Sequence, residues 1–351
     1  MSKYIENLND ELKKYFNILC NNDYPEFINK YIETNEMQRL SKIGQFCGCD
    51  YTKIYNIKFW YSRLDHSIAC ALMTWNFTHD KNQTLMALFH DLGTPAFSHC
   101  IDYLLNDHIN QKSSERDVYS VLNSSEDLKK LCLEDEFNIY EMNNIDKYTI
   151  VENDKPKLCV DRLDGVMHTC LIWIRYWRIE DIKHVYSNIG ILVNEDGEQE
   201  LGFLNKEACD KFFEGVYEYS MALQQNEDKY VMQFTADFLK NAIKNEYIAL
   251  EDLYEKTEKD IIEKICVMDK YKWDKFCNSS AITRSDSIPL NNTYYISLEC
   301  KKRYVLPLCK NGDINIRLNK ISNECNKLID EYMKYSDSKY SYIDDIYFEY
   351  V

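Results

Sequence analysis

The sequence predicts a mainly α protein, a helical bundle over residues 1–265 followed by a smaller α+β unit over residues 266–351. Three observations predict it. Only 9 Gly and 5 Pro occur in 351 residues, which leaves few tight turns for a sandwich or barrel. Apolar residues recur three or four apart through most of the first 265 positions, the period of a helix with one buried face. Beyond residue 266 the texture changes to short apolar runs separated by turn residues.

Taken in order, Ile5, Leu8, Leu12 and Phe16 fall on one helical face. A helix begins at Arg63-Leu64-Asp65-His66-Ser67, and Ile68, Leu72 and Trp75 carry its stripe onward. Leu85, Leu88 and Phe89 lead into His90-Asp91, where a helix closes before the stop signal Gly93-Thr94-Pro95. Val160-Asp161-Arg162-Leu163-Asp164 heads another apolar helix, expected to run to Trp177. Gly190 to Val193 and Glu200 to Phe203 read as a β-hairpin with Asp196-Gly197 in its turn. Further on, Thr293–Leu298 and Arg303–Leu306 read as strands, Asn311-Gly312 as a turn and Ile321–Tyr335 as a helix.

Charge narrows the function. With 42 basic and 58 acidic side chains the net charge is −16, which argues against long nucleic acid as a partner, since phosphate-tracking proteins present a basic surface. A small nucleotide needs only a local pocket of cations and is not excluded. The 14 cysteines are scattered from Cys20 to Cys325 without paired zinc-knuckle spacing, and only Cys47 and Cys49 lie close together. The opening MSKYIENLNDELKKY has no apolar signal core, and the longest apolar stretches are short and interrupted. Reduced thiols, a cytoplasmic location and no membrane partner are therefore expected.

Four of the seven histidines fall between His66 and His99, beside carboxylates. Neutral imidazole and ionised carboxylate together suit a borderline divalent cation held between helices. One His from the helix at residue 63, the His-Asp pair at 90–91 and one Asp from the helix at residue 160 would make four ligands, with positions left for water and phosphate. Adjacent helical residues point about 100° apart, so His90 and Asp91 share an ion only at the helix flank.

This spaced pattern resembles the HD superfamily of metal-dependent phosphohydrolases. Arg63-Leu-Asp-His-Ser67 and His90-Asp-Leu-Gly-Thr-Pro-Ala-Phe-Ser-His99 are similar to the R-F-E-H-S and H-D-x-G-H-x-P-F-S-H runs of its deoxynucleoside-triphosphate triphosphohydrolase (dGTPase-like) branch. Met37 to Gln45 resembles that branch's Q-R-L-R-x-I-x-Q run, and Lys302-Arg-Tyr-Val-Leu-Pro-Leu308 a C-terminal segment of bacterial relatives. The resemblance implies an HD-domain helical bundle with His66, His90, Asp91 and Asp161 as ligands of one divalent ion (Mn, Fe, Co, Ni or Zn), Mg accompanying the substrate phosphates. It also implies that Arg63 and Arg162 meet phosphate and that Gln45 meets the sugar. Asp164, one helical turn past Asp161, is grouped with the substrate contacts and is placed to orient a ligand. A small nucleotide or phosphoester is the implied partner, and relatives form homo-oligomers.

Three departures stand out. Thr94 and Ser114 occupy positions where the branch has histidines, Gly165 replaces a Tyr at the sugar, and no arginine occurs between Arg178 and Arg284. His99, His108 and Glu115 are the candidates to supply the missing proton transfer. Three readings follow: a dNTP triphosphohydrolase releasing nucleoside and triphosphate, an HD phosphatase or phosphodiesterase on a simpler phosphoester, and a nucleotide-binding regulatory module without turnover. His79, His168 and His184 read as structural or exposed.

Overall fold

A computed structural model of the chain describes residues 2–106, 116–290 and 292–347. The chain is mainly helical with a small sheet-containing C-terminal part. Helix α1 (Asp10–Cys20) starts where the Asn9 side chain accepts from Leu12 N, and it buries Leu12, Tyr15, Phe16 and Leu19 along one stripe. Helix α2 (Asn35–Leu40) follows, and α3 (Arg63–Thr78) occupies the centre. Every residue of α3 from Arg63 to Thr74 is buried, so it has no solvent face and is packed on all sides. A reciprocal cap starts it: Ser62 Oγ accepts from Asp65 N, and Asp65 Oδ2 accepts from Ser62 N at 2.7 Å. His79 in the left-handed region ends it, and α4 (Lys81–Phe89), capped by Asp80, returns alongside.

Helix α5 (Cys100–Leu104) packs on α8 (Asn226–Lys244), and α6 (Val160–His168) packs on α3. The expected helix from Val160 to Trp177 stops early. It widens into a π-turn at Thr169–Trp173, and Arg175 at φ +54° breaks it, with Trp177 N donating back to Cys170 O. Helices α7 (Lys206–Ala222), α9 (Glu258–Asn278) and α10 (Asn323–Lys334) complete the elements used below.

The hairpin is β1 (Ile189–Val193) and β2 (Gln199–Phe203), in register Ile189↔Phe203 with Gly197 at φ +82° in the turn. Strands β3 (Thr283–Ser285), β4 (Tyr295–Ile296) and β7 (Tyr340–Tyr342) make a small sheet ordered β3-β7-β4. β2 continues in parallel to β5 (Leu308–Asn311), which turns at Gly312 into β6 (Ile314–Arg317), giving a sheet ordered β1-β2-β5-β6. The strand expected over Thr293–Leu298 shrinks to Tyr295–Ile296, and the one expected over Arg303–Leu306 is an extended strap outside any sheet. Its backbone donors go elsewhere: Arg303 N to the Tyr332 hydroxyl and Leu306 N to Pro156 O, while Pro307 has no N–H for a ladder.

Residues 265 and 266 lie inside α9, and the hairpin shares a sheet with β5 and β6. One apolar core accordingly runs from Ile5 to Ile346 across both the helical and the sheet-containing parts. No helix among the described residues is long and apolar enough to cross a membrane.

The first residue of α9 ties two loops together. Glu258, fully buried, accepts from Gly44 N (3.1 Å) and the Tyr51 hydroxyl (2.5 Å) with Oε2 and from Phe97 N (2.9 Å) with Oε1. Burial pushes its carboxyl up to about 7 against the pull of those donors. A carboxyl raised on folding stabilises the fold fully below its unfolded value near 4.5, and that stabilisation is lost as pH rises toward 7. The size is about 3 kcal/mol. The stability difference between wild type and Glu258→Gln is therefore expected to change by that order between about pH 4 and pH 8. Urea unfolding at both pH values checks it; a pH-independent difference contradicts it.

Candidate metal centre

His66 sits at the second turn of α3, where the Ser62–Asp65 cap fixes the backbone and Tyr4 holds Asp65 from outside (2.9 Å). Its Nδ1 lies 2.6 Å from Asp164 Oδ2. An ionised carboxylate only accepts, so Nδ1 carries the proton and Nε2 presents a lone pair. His90 follows the last turn of α4, and its Nδ1 is 2.7 Å from Ala87 O, another pure acceptor. Its Nε2 is therefore bare as well, yet the two Nε2 atoms stand 3.2 Å apart.

The carboxylates close on the same point. Asp161 Oδ1 is 3.1 Å from His66 Nε2 and 3.9 Å from His90 Nε2. Asp91 approaches His66 Nε2 to 3.9 Å with Oδ2 and His90 Nε2 to 3.6 Å with Oδ1. Around an ion with ligands at ~2.1 Å, adjacent ligand atoms are about 3.0 Å apart in an octahedron and about 3.4 Å in a tetrahedron. The His66–His90 and His66–Asp161 contacts have the spacing of ligands on one divalent cation, and the contacts of Asp91 with both rings and of Asp161 with His90, at 3.6–3.9 Å, are somewhat wider.

The electrostatics agree. Burial works against the charged form of His66, but Cys70, Asp161 and Asp164 outweigh it and hold the imidazole well above its ordinary value. Burial equally opposes ionisation of Asp91 and Asp161, and the neighbouring imidazoles, with Arg63 and Arg162, hold both carboxyls well below the usual range. Without a metal ion that field holds a second proton on His66 at Nε2, and the lone pair there is free only where a cation takes the proton's place. Cys70 stands beside the same pair, its Sγ 3.8 Å from both nitrogens of His66, and with His66 and His90 it forms a group that could hold a metal ion.

The remaining expected residues divide by location. Asp164 is fully buried and accepts from Tyr15 (2.5 Å), Tyr61 (3.0 Å), His66 and His168 (2.9 Å), so it orients His66 and does not meet substrate. That corrects its grouping with substrate contacts. His168 stacks on Tyr61 and belongs to this buried network. Arg63 lines the cavity beside the ligands, but its guanidinium already binds Asp91 Oδ2 (2.8 Å) and Ser98 Oγ (2.9 Å). Arg162 is bound to Glu152 Oε1 and to the carbonyls of Asn153 and Lys157, holding the loop before α6. Gln45 lines the cavity, and its Oε1 is buried with no partner among the described residues. His99 also lines it, with Nδ1 3.1 Å from Asp102 Oδ2. His108, Ser114 and Glu115 lie outside the described residues. Thr94 is buried away from the cavity, and its carbonyl accepts from Arg39.

Against known proteins the likeness is one of sequence at low identity and of fold. No protein-family model matches this chain. The uncharacterized protein YdhJ of Bacillus subtilis is 23% identical over 245 residues, covering 67% of this chain and 69% of that one. A hypothetical protein from Aquifex aeolicus, known from its crystal structure, superposes with a TM-score of 0.60 at 14% identity over 92% of this chain and 93% of that chain. That similarity shows the fold alone.

The cavity itself, about 240 Å³, exposes residues that no motif marked. Lys155, Lys301 and Arg303 border it near the ligands, and Asp228 lines it too. Tyr219 lies between the two regions, within electrostatic reach of Arg303, Asp161 and Asp228. Burial raises the Asp228 carboxyl to about 7, and its one hydrogen-bond partner among the described residues is the Cys49 thiol at 3.8 Å. Only Arg303 had a signal in the sequence, through the Lys302-Arg-Tyr segment; Lys155 stands in an unremarkable loop.

Proposed function

We propose that this chain is a metal-dependent phosphohydrolase of the HD superfamily acting on nucleotides, with deoxynucleoside triphosphates as its substrate class. The observation that carries the reading is the gathering of two imidazole Nε2 atoms and the carboxylates of Asp91 and Asp161 within 3.1–3.9 Å of one or both rings, with His66 and Asp161 at the wall of a cavity. The sequence resemblance supplies the reaction class.

A divalent ion bound there supplies Lewis-acid activation of a phosphate oxygen and of a water molecule. The chain's own residues do the rest. Asp164 and the Ala87 carbonyl fix which nitrogen of each imidazole faces the site, and Arg63 fixes Asp91. Gln45 lines the cavity, and its buried Oε1, without a partner among the described residues, would accept from a sugar hydroxyl once the amide turns toward it. His99, oriented by Asp102, is the described imidazole on that wall outside the ligand set and its buried network, and it is placed to give a proton to a leaving oxygen.

A second reading has its own support. Arg63 and Arg162 are both committed to protein acceptors, which leaves fewer cations for phosphate and favours a monophosphate or phosphodiester. Product analysis separates the two. With Mn-loaded protein, each dNTP is expected to yield nucleoside and inorganic triphosphate; orthophosphate release, or hydrolysis of monophosphates alone, would move the protein to the second reading.

A further inference from the structure

The Lys155 and strap cations have no counterpart in the residues considered so far, and the fold brings them together for a reason visible in the backbone. The strap before β5 lies outside any sheet and lines the cavity with Cys300, Lys301, Arg303, Tyr304 and Val305. Lys302 points outward and donates to the carbonyls of Tyr332 (3.0 Å), Met333 (2.6 Å) and Tyr335 (3.0 Å) at the C-terminal end of α10. Lys301 and Arg303, on the other side, border the cavity. The Gln224 side chain holds Lys301 O (3.1 Å), the Tyr332 hydroxyl holds Arg303 N (2.7 Å), and Leu306 N donates to Pro156 O (2.9 Å). That last bond sews the strap to the loop carrying Lys155.

The three side chains share a second property. None of them has a hydrogen-bond or ion-pair partner among the described residues, although all three line one cavity. Partial desolvation, then Arg303 and Arg162, with Lys301 adding to them, hold Lys155 down to about 8. Lys155 is thus held down by the cations beside it against the pull of Asp161, and cations that line one cavity without a hydrogen-bond or ion-pair partner among the described residues form a site that gains from an anion.

We propose that Lys155, Lys301 and Arg303 form an anion site at the mouth of the cavity that takes the phosphate chain of a polyphosphate substrate. The identity of the anion rests on the phosphohydrolase reading; the existence of the site does not. Three mobile or forked cations beside the ligand cluster match a chain of several charged phosphates better than a single one. They stand in for the arginines that the chain lacks between Arg178 and Arg284.

The test is calorimetric titration of the metal-loaded full chain with inorganic tripolyphosphate, added as its magnesium complex, alongside orthophosphate. Wild type is expected to bind tripolyphosphate more tightly than orthophosphate. Lys155→Ala and Arg303→Ala are each expected to weaken tripolyphosphate roughly tenfold, and the double variant roughly a hundredfold, with unchanged thermal midpoints because neither side chain has a partner to lose. Binding by wild type is also expected to weaken with added salt, a readout independent of any variant. Equal tripolyphosphate affinity in wild type and the double variant, or salt-independent binding, overturns the site. If wild type hydrolyses no nucleotide while the titrations behave as expected, the activity falls and the anion site stands; if hydrolysis occurs and the titrations do not move, the reverse holds.

Discussion

Asp161→Ala is expected to keep the fold and lose the metal. The Asp161 side chain is about one-third exposed at the head of α6, and its hydrogen-bond partner among the described residues is the His66 imidazole, so its removal leaves the core untouched. What it removes is the carboxylate nearest the paired Nε2 atoms, 3.1 Å from His66. Changing a group that merely supports a ligand costs about 10–100-fold in metal affinity, and losing the ligand itself is expected to cost more than that. Metal content after dialysis, read by mass spectrometry beside a thermal melt, checks both halves. Full occupancy in Asp161→Ala would remove it from the ligand set.

Asp164→Ala is expected to damage fold and metal site together. One buried carboxylate accepts from four groups that come from three helices and a loop: Tyr15 on α1, Tyr61, His66 on α3 and His168 on α6. Burial opposes its ionisation, but His168 and His66 hold the carboxyl well below the ordinary range. Deleting one side of such a buried network costs about 3–5 kcal/mol, because the donors remain in place without an acceptor. His66 Nδ1 then has nothing to fix its tautomer, and metal affinity is expected to fall about 10–100-fold in whatever protein folds. Denaturant unfolding and a metal-binding isotherm measure the two effects. A variant as stable as wild type that binds metal equally well would show that Asp164 neither clamps the helices nor orients His66.

The helical half was legible because it obeys one period. Ile5, Leu12 and Phe16, or Ile68 and Leu72, are buried where a helical stripe puts them. The end of α6 was not legible: Thr169–Trp173 keeps its apolar spacing through the π-turn, and only the backbone of Arg175 breaks it. Arg303–Leu306 reads as a strand by its residue types, yet its N–H groups find the Tyr332 hydroxyl and the Pro156 carbonyl, partners far away in sequence.

The candidate site shows the same division. His66, His90, Asp91 and Asp161 stand out as residue types at helix ends, and the structure brings their atoms to within 3.1–3.9 Å of at least one partner in the set. Which cations are already occupied cannot be read from types and spacing. Arg63 and Arg162 carry the motif positions but are bound to Asp91 and Glu152, whereas Lys155 and Lys301, which carry no motif, border the cavity without a partner among the described residues. Occupancy depends on contacts that close between residues distant in the chain, such as the bond from Leu306 to Pro156.

The central claim is that the paired imidazoles face each other across a cation. Anomalous diffraction from crystals of the metal-loaded protein, collected on both sides of the metal's absorption edge, tests it most directly. One peak is expected, bounded by His66 Nε2, His90 Nε2 and the carboxylates of Asp91 and Asp161. No peak there, with density placing a direct hydrogen bond between the two rings, would contradict it and make His66 a buried imidazolium.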